Sequence, residues 1–347
     1  MDELTIPRPD DWHLHLRDGE ALRAVADHTA RVFGRAIVMP NLKPPVETVA
    51  QAEAYRGRIF EALSPGSDFQ PLMTLYLTPR TTPEEIARAA ASEHVHGVKM
   101  YPAGATTNSD SGVADLSAVY RVFEAMQEHD LPLLIHGESI DPKVDVFDRE
   151  AVFIEQALAP LVDRFTGLRV VFEHITTADA VNFVREAPAR VAATVTPQHI
   201  LLDRNALFAG GIRPHHWCLP VLKRETHRVA LLEAVTSGNP KFFLGTDSAP
   251  HAVGDKESAC GCAGIYSAPL AMPLYAEAFD SVGALEHLEA FCSRNGPAFY
   301  RLPVSEQTLT LRREPWTVPA SFPFGSQEVI PLRAGDQVGW RVVDAVQ

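Results

Sequence analysis

Cysteine is scarce: only Cys218, Cys260, Cys262 and Cys292 occur in 347 residues. That excludes a small secreted disulfide framework. Cys260 and Cys262 stand one residue apart in a Gly-bearing segment, too little for a cysteine-based zinc site, so free structural thiols are expected. No stretch approaches the ~20 apolar residues of a membrane-spanning helix. Met1 to Trp12 carries charges and prolines without an apolar run, which does not read as a secretory signal, and a cytoplasmic protein is the expectation. Positive charge is also in deficit: 31 basic against 44 acidic side chains give a net charge of −13, with no Lys/Arg block. Nucleic acid binding needs a positive footprint, so a small-molecule partner is favoured and neither nucleic acid nor membrane is expected. A Gly-rich phosphate fingerprint after the first strand is missing too, which argues against an open dinucleotide-binding sheet.

What the chain does contain is 46% hydrophobic and 22% charged residues, the balance of an ordinary globular domain. Eight short apolar runs recur: Asp11–Leu16, Ala36–Met39, Pro71–Leu77, Gly97–Tyr101, Pro132–Ile135, Leu168–Phe172, Val191–Val195 and Phe242–Gly245. Between most of them lie stretches with apolar residues three and four apart, such as Glu20–Val32, Pro83–Glu93, Leu116–His129 and Ala178–Glu186. Thr82 before Pro83-Glu84-Glu85, and Thr177 before Ala178-Asp179, read as helix caps. Strand alternating with helix eight times predicts an α/β fold, a (β/α)8 barrel of the TIM type. Residues 302–347, with prolines and strand-like pieces at Leu309–Arg313 and Gln337–Val343, read as an extension packed on the barrel. A single domain spanning 1–347 is the expectation.

In such a barrel the chemistry sits at the C-terminal ends of the strands. The first run reads Asp11-Trp12-His13-Leu14-His15-Leu16-Arg17, and strand alternation predicts His13, His15 and Arg17 on one face with Trp12, Leu14 and Leu16 on the other. Two imidazoles at i and i+2 can reach one metal ion, although a lone His-x-His is also what a half-wet strand looks like. Later strand ends repeat the pattern. His136 follows Leu133-Leu134-Ile135, His174 follows Val170-Val171-Phe172-Glu173, and Asp247 follows Phe242-Phe243-Leu244-Gly245-Thr246. Four imidazoles and a carboxylate suit a borderline metal such as zinc. Lys99 closes Gly97-Val98-Lys99; a buried lysine there either pairs with a carboxylate such as Asp247 or, desolvated and neutral, takes up carbon dioxide as a carbamate able to bridge two metals.

These residues carry a resemblance. Asp11-Trp12-His13-Leu14-His15-Leu16-Arg17-Asp18-Gly19, Met39-Pro40-Asn41-Leu42, the run from Lys99 to Asn108, His136-Gly137-Glu138, Glu173-His174-Ile175-Thr176-Thr177, Thr196-Pro197-Gln198-His199 and the run from Gly245 to His251 resemble the motifs of the dihydroorotases. The likeness is to the short single-domain bacterial branch of the amidohydrolase superfamily and extends from Asp11 to Asn295-Gly296-Pro297.

The resemblance implies two Zn²⁺ per chain, bridged by carboxylated Lys99 (N6-carboxylysine) and a hydroxide. His13, His15, Lys99 and Asp247 would hold one ion, and Lys99, His136 and His174 the other. It implies the reversible interconversion of N-carbamoyl-L-aspartate and L-dihydroorotate in pyrimidine synthesis. The bridging hydroxide would be the nucleophile and Asp247 the general acid/base. A pair of zinc ions lowers the pKa of a shared water to about 7 and polarises the amide carbonyl, which accounts physically for both roles. Arg17, a bidentate fork on the face of the histidines, together with Asn41 and His251, would take the substrate carboxylate. Leu219 and Ala263 would read the pyrimidine edge through their backbones, and Thr106 and Thr107, in the small polar loop 103–112, would close as a lid. A homodimer is implied as well.

Two other readings remain open at this point: a related amidase acting on hydantoins, dihydropyrimidines or allantoin, and a non-catalytic scaffold. The first usually carries a β-sandwich built from both chain ends, for which the residues before the first strand leave no material. Scaffolds typically lose ligands, whereas all six positions are filled here.

Overall fold

The computed structural model describes residues 2–343; the last residues of the sequence-predicted extension and domain lie outside that range. Strand β1 (Glu3–Pro7) precedes the eight barrel strands β2 (Asp10–Leu14), β3 (Arg35–Val38), β4 (Gln70–Tyr76), β5 (Val95–Met100), β6 (Leu133–Ile135), β7 (Val170–Phe172), β8 (Val191–Val195) and β9 (Phe242–Leu244). These eight pair in sequence order, all parallel, with helices between. Every run read as a strand in the sequence is one. The seam between β9 and β2 is closed just beyond the strands, where Asp247 N–H donates to the His13 carbonyl (2.9 Å) and His15 N–H to that of Ser248 (3.1 Å). The fold is a (β/α)8 barrel.

Local chemistry sets the helices. Thr82 caps Pro83–Ala91 by accepting from Glu85 N–H, with proline at the first position, and Thr177 caps Ala178–Glu186 by accepting from Ala180 N–H. The helices and the outward strand faces share one large apolar cluster containing Val38, Val98, Met100, Ile135, Phe172 and Leu244. The inward faces form a second cluster, Trp12, Ile37, Leu72, Leu134, Val171, Ala192 and Phe243, which plugs the lumen. One side-chain step further along the inward faces the residues turn polar: Lys99, His136, Glu173 and Thr194, all buried. The site is thus the layer directly above a dry plug.

Two departures from the sequence reading follow from local geometry. Trp12 lies in the lumen cluster while Leu14 and Leu16 lie in the outer one, so these three do not share a face. The register of β2 against β3 shifts between Asp11 and Leu14, and that irregularity breaks the alternation, so Trp12 and His13 both serve the lumen. The second departure is β1, in a segment read without a strand. It pairs antiparallel with β10 (Thr308–Thr317), which pairs in turn with β13 (Gln337–Val342). A hairpin of β11 (Phe322–Phe324) and β12 (Gln327–Val329) lies between those two in sequence. The sheet buries Ile6, Leu309, Leu311 and Trp340 against the barrel.

Candidate active site

The strand ends converge. His13 Nε2 lies 3.3 Å from His15 Nε2 and 3.3 Å from Asp247 Oδ1, and His15 Nε2 lies 3.1 Å from the same oxygen. Ligands about 2.0–2.1 Å from a tetrahedral zinc stand roughly 3.3 Å from one another, so these three atoms describe one face of such a site. Of the far nitrogens, His15 Nδ1 meets Asn41 Oδ1 at 2.9 Å, whereas His13 Nδ1 lies 3.0 Å from Glu173 Oε1 in an ion-pair contact that is not aligned as a hydrogen bond. With the N–H of His15 on Nδ1 and that of His13 drawn to Nδ1 by the Glu173 charge, two imidazole lone pairs and a carboxylate oxygen point at one another, an arrangement that calls for a cation.

Close-set charges act on each group. Burial holds His15 down to about 4, helped by the charges of Arg17 and His13 and opposed by Asp247. Burial also disfavours a charged His13, but Glu173 and Asp247 outweigh it and raise its pKa to about 9, so a proton occupies the cation's place in the metal-free protein. Burial likewise opposes ionisation of Asp247, yet the charge of His13 and its hydrogen bond hold it well below the usual carboxylate range.

The other half of the cluster is less closely gathered. The rings of His174 and His136 are 4.8 Å apart, as are those of His174 and His13. Among the described residues the second group of converging donors is His13, Glu173 and His174; His136 is turned to Glu138, Nε2 to Oε2 2.7 Å. His174 Nδ1 is buried with no hydrogen-bond partner, and burial followed by the charges of His136 and His13 keeps that ring neutral, with a lone pair available. Lys99 is fully buried. Its amine contacts the carboxylate of Glu173, not that of Asp247, which the sequence offered as an example of such a partner, and sits 4.7 Å from the Tyr101 ring centroid. Burial lowers the Lys99 pKa and the Glu173 charge opposes that.

Backbone strain marks the same residues. Arg17, His174 and Asp247 have φ of 62°, 41° and 45°, a region that costs a non-glycine residue about 1–3 kcal/mol unless its surroundings impose it. They do so through Thr194 Oγ1, which accepts from His174 N–H (2.7 Å), and through the bond from Asp247 N–H to His13. Asp11, which sequence reasoning left without a role, is fully buried. It accepts from His13 N–H (3.1 Å) and from both donors of Thr246 (2.9 and 2.5 Å), tying the first ligand strand to the last. Gly245 is required here, since a Cβ would stand 2.6 Å from Thr194 and 3.2 Å from His13 Cβ.

Above the cluster one cavity is lined by His13, His15, Arg17, Asn41, Thr106, Thr107, His136, His174, Leu219, Asp247 and Ala263. His251 joins through Arg17, whose Nη2 lies 2.9 Å from His251 Nε2 and whose Nε donates to the Pro250 carbonyl (3.0 Å). Burial, then the Arg17 charge, pushes His251 down to about 2, so it is a neutral hydrogen-bonding ring. The loop bearing Thr106 and Thr107 is docked: Asn41 Nδ2 donates to the Thr107 carbonyl (3.1 Å) and Thr107 Oγ1 reaches that of Ala263 (3.4 Å). Asn41 therefore joins His15 to the loop. Lys256 was also missed in the sequence. Buried, its ammonium donates to the carbonyls of Trp217 (2.7 Å), Cys262 (2.9 Å) and Gly264 (2.7 Å), gathering the segments that carry Leu219 and Ala263. The four cysteines are free thiols.

The barrel and its rim of imidazoles define the class. The Amidohydrolase family profile matches residues 10–306. The chain is 64% identical over 341 residues to the dihydroorotase of Methylobacillus flagellatus, covering 98% of this chain and 99% of that one. A crystal structure of the Saccharomyces cerevisiae dihydroorotase in complex with 5-fluoroorotic acid superposes with a TM-score of 0.92 at 34% identity, over 99% of both chains. An L-hydantoinase from Arthrobacter aurescens shares the fold alone, with TM-score 0.80, 17% identity and coverage of 98% of this chain and 83% of that one. This chain belongs to the dihydroorotase family of amidohydrolases.

Proposed function

We infer that the protein uses two zinc ions to interconvert N-carbamoyl-L-aspartate and L-dihydroorotate, a step of pyrimidine synthesis. The observation that carries this reading is the convergence of His13 Nε2, His15 Nε2 and Asp247 Oδ1 to within 3.3 Å at the mouth of the barrel. The orphaned Nδ1 of His174 and the buried Lys99 amine supply donors for a second ion. His13, His15 and Asp247 would hold one zinc and His136 and His174 the other, with Lys99, once carboxylated, as the further ligand. Bound zinc supplies the Lewis acidity and the activated water that amide hydrolysis at neutral pH requires.

The chain's own groups do the rest. Arg17 forks onto the substrate carboxylate, and His251, neutral and already on Arg17, adds a second contact. Asn41 reaches the same carboxylate from its place between His15 and Thr107. Backbone groups at Leu219 and Ala263 meet the ring edge, and Thr106 and Thr107 cover it and exclude water. Asp247, held as a carboxylate, takes a proton from the attacking water and gives it to the ring nitrogen as the C–N bond breaks. In the closing direction the same proton travels back and a water molecule leaves. The relative bound to 5-fluoroorotic acid supports an orotate-like ligand. Cytoplasmic location and a homodimer complete the reading on the strength of the resemblance, and no helix among the described residues is long and apolar enough to cross a membrane.

Metal analysis of carefully prepared protein, with an assay for ring opening of dihydroorotate, tests this. A pair of zinc ions per chain and measurable hydrolysis are expected; less than one ion and no ring opening would overturn it. A second expectation concerns Lys256. Replacing Lys256 by Met frees three carbonyls and loosens the Ala263 segment, so KM should rise about tenfold with zinc content unchanged. Charged hydrogen bonds are worth about 1.5–3 kcal/mol each, and a tenfold change needs only about 1.4. Steady-state kinetics with an unaltered KM would remove Lys256 from the site.

A further inference from the structure

Two buried carboxylates, Glu173 and Glu138, have no part in the mechanism above, although both belong to motifs in the sequence, Glu173-His174 and His136-Gly137-Glu138. Each faces the outer nitrogen of an imidazole. Glu173 Oε1 is 3.0 Å from His13 Nδ1, and Glu138 Oε2 is 2.7 Å from His136 Nε2. We propose that Glu173 and Glu138 are positioning residues that select which nitrogen of His13 and of His136 is presented to metal, an inference that rests on the zinc assignment above and deepens it.

A neutral imidazole has one N–H and one lone pair, and an ionised carboxylate can only accept. A carboxylate against one nitrogen therefore places the N–H there and the lone pair on the other. For His13 the Glu173 carboxylate stands 3.0 Å from Nδ1, an ion-pair contact rather than an aligned hydrogen bond, and its charge favours the N–H there, leaving Nε2 facing His15 and Asp247. For His136 the acceptor is on Nε2, so Nδ1 is left. The two rings thus use opposite nitrogens, and nothing in the rings themselves enforces that choice. Burial of both carboxylates, Glu173 fully and Glu138 nearly so, removes competing water.

Each carboxylate has a feature that fits this task better than a general buried ion pair. Glu138 Oε1 is buried with no hydrogen-bond partner, so the contact to His136 is the carboxylate's one described hydrogen bond. Glu173 spends its other oxygen on the Lys99 amine. That nitrogen keeps an N–H after carboxylation, so one carboxylate can orient both His13 and the lysine shared by the two ions.

The test is metal affinity. Protein stripped with a chelator is titrated with Zn²⁺ against a chromophoric competitor, and with Co²⁺ followed by visible absorption. Glu138→Ala should weaken one of the two zinc-binding steps by roughly 10–100-fold and leave the other. Glu138→Gln, whose amide oxygen still accepts, should fall between wild type and Glu138→Ala. Glu173→Gln should weaken the other step, and the cobalt spectrum should change in each variant. Because Glu173→Gln alters the surroundings of Lys99, circular dichroism of the stripped proteins checks the fold, and the Glu138 pair carries the test if Glu173→Gln does not fold. Folded Glu138 variants with both zinc steps and the cobalt spectrum of wild type would overturn the proposal. Wild-type protein that binds no zinc would instead overturn the metal assignment itself.

Discussion

Asp247→Asn should lower kcat by about 10³-fold at saturating zinc, the middle of the roughly 10²–10⁴ range for a lost general acid/base. The amide is nearly the same size, so the hydrogen bond from residue 247 N–H to His13 and the backbone at φ 45° are kept. What disappears is the negative charge that His13 and His15 face and the ability to carry a proton. KM should change less than kcat, because Arg17 and His251, not Asp247, are placed for the substrate carboxylate. Zinc affinity is measured on the same preparations, so that loss of metal and loss of proton transfer are read separately. A variant that keeps full metal and turns over within tenfold of wild type would remove Asp247 as the proton carrier. The pH profile gives an independent check. Asp247 is ionised throughout the neutral range in the free protein, so its protonation should not limit ring opening on the acid side until well below the usual carboxylate range.

The eight strands were legible as short, mostly apolar runs alternating with helical stretches, and several of them end on a side chain too polar to bury without purpose. His13, His15, Lys99, His136, His174 and Asp247 were found at such ends; the structure sets five of them round one cavity and buries Lys99 against Glu173, which also faces His13. What sequence could not supply was partners. For a paired Lys99 the sequence offered Asp247 only as an example of a carboxylate, and it is Glu173 that stands between Lys99 and His13 and contacts both. Strand periodicity places a side chain inside or outside; it does not rank two inward carboxylates by distance. The same limit hid Asn41's bond to His15, Asp11's grip on Thr246 and the three carbonyls on Lys256. Periodicity itself failed at Trp12, where one irregular step in β2 turns a large ring into the lumen. In β1 the alternation of Leu4, Thr5 and Ile6 is too short to distinguish from a tail, and its partner, β10, lies about 300 residues away.

Lys99→Met should lower kcat by on the order of 10³-fold, the several kcal/mol of charge stabilisation that a mispositioned pair of cations fails to supply. The substitution also acts on the fold. It leaves Glu173 fully buried with His13 as its remaining cationic partner, and breaking a buried pair costs up to about 3–5 kcal/mol. Because His13 is itself protonated to about 9 in the metal-free protein, the loss should sit toward the low end of that range at neutral pH and grow as the pH passes 9. The two effects separate in a double variant. Lys99→Met with Glu173→Gln removes the amine and its counter-charge together, so the stripped protein should recover thermal stability without recovering turnover. Wild type offers the complementary experiment: stripped of metal and depleted of carbon dioxide, it should regain activity on adding zinc only when bicarbonate is also present. Reactivation at the same rate without bicarbonate would mean that the amine itself, not its carboxylated form, stands between the two halves of the site.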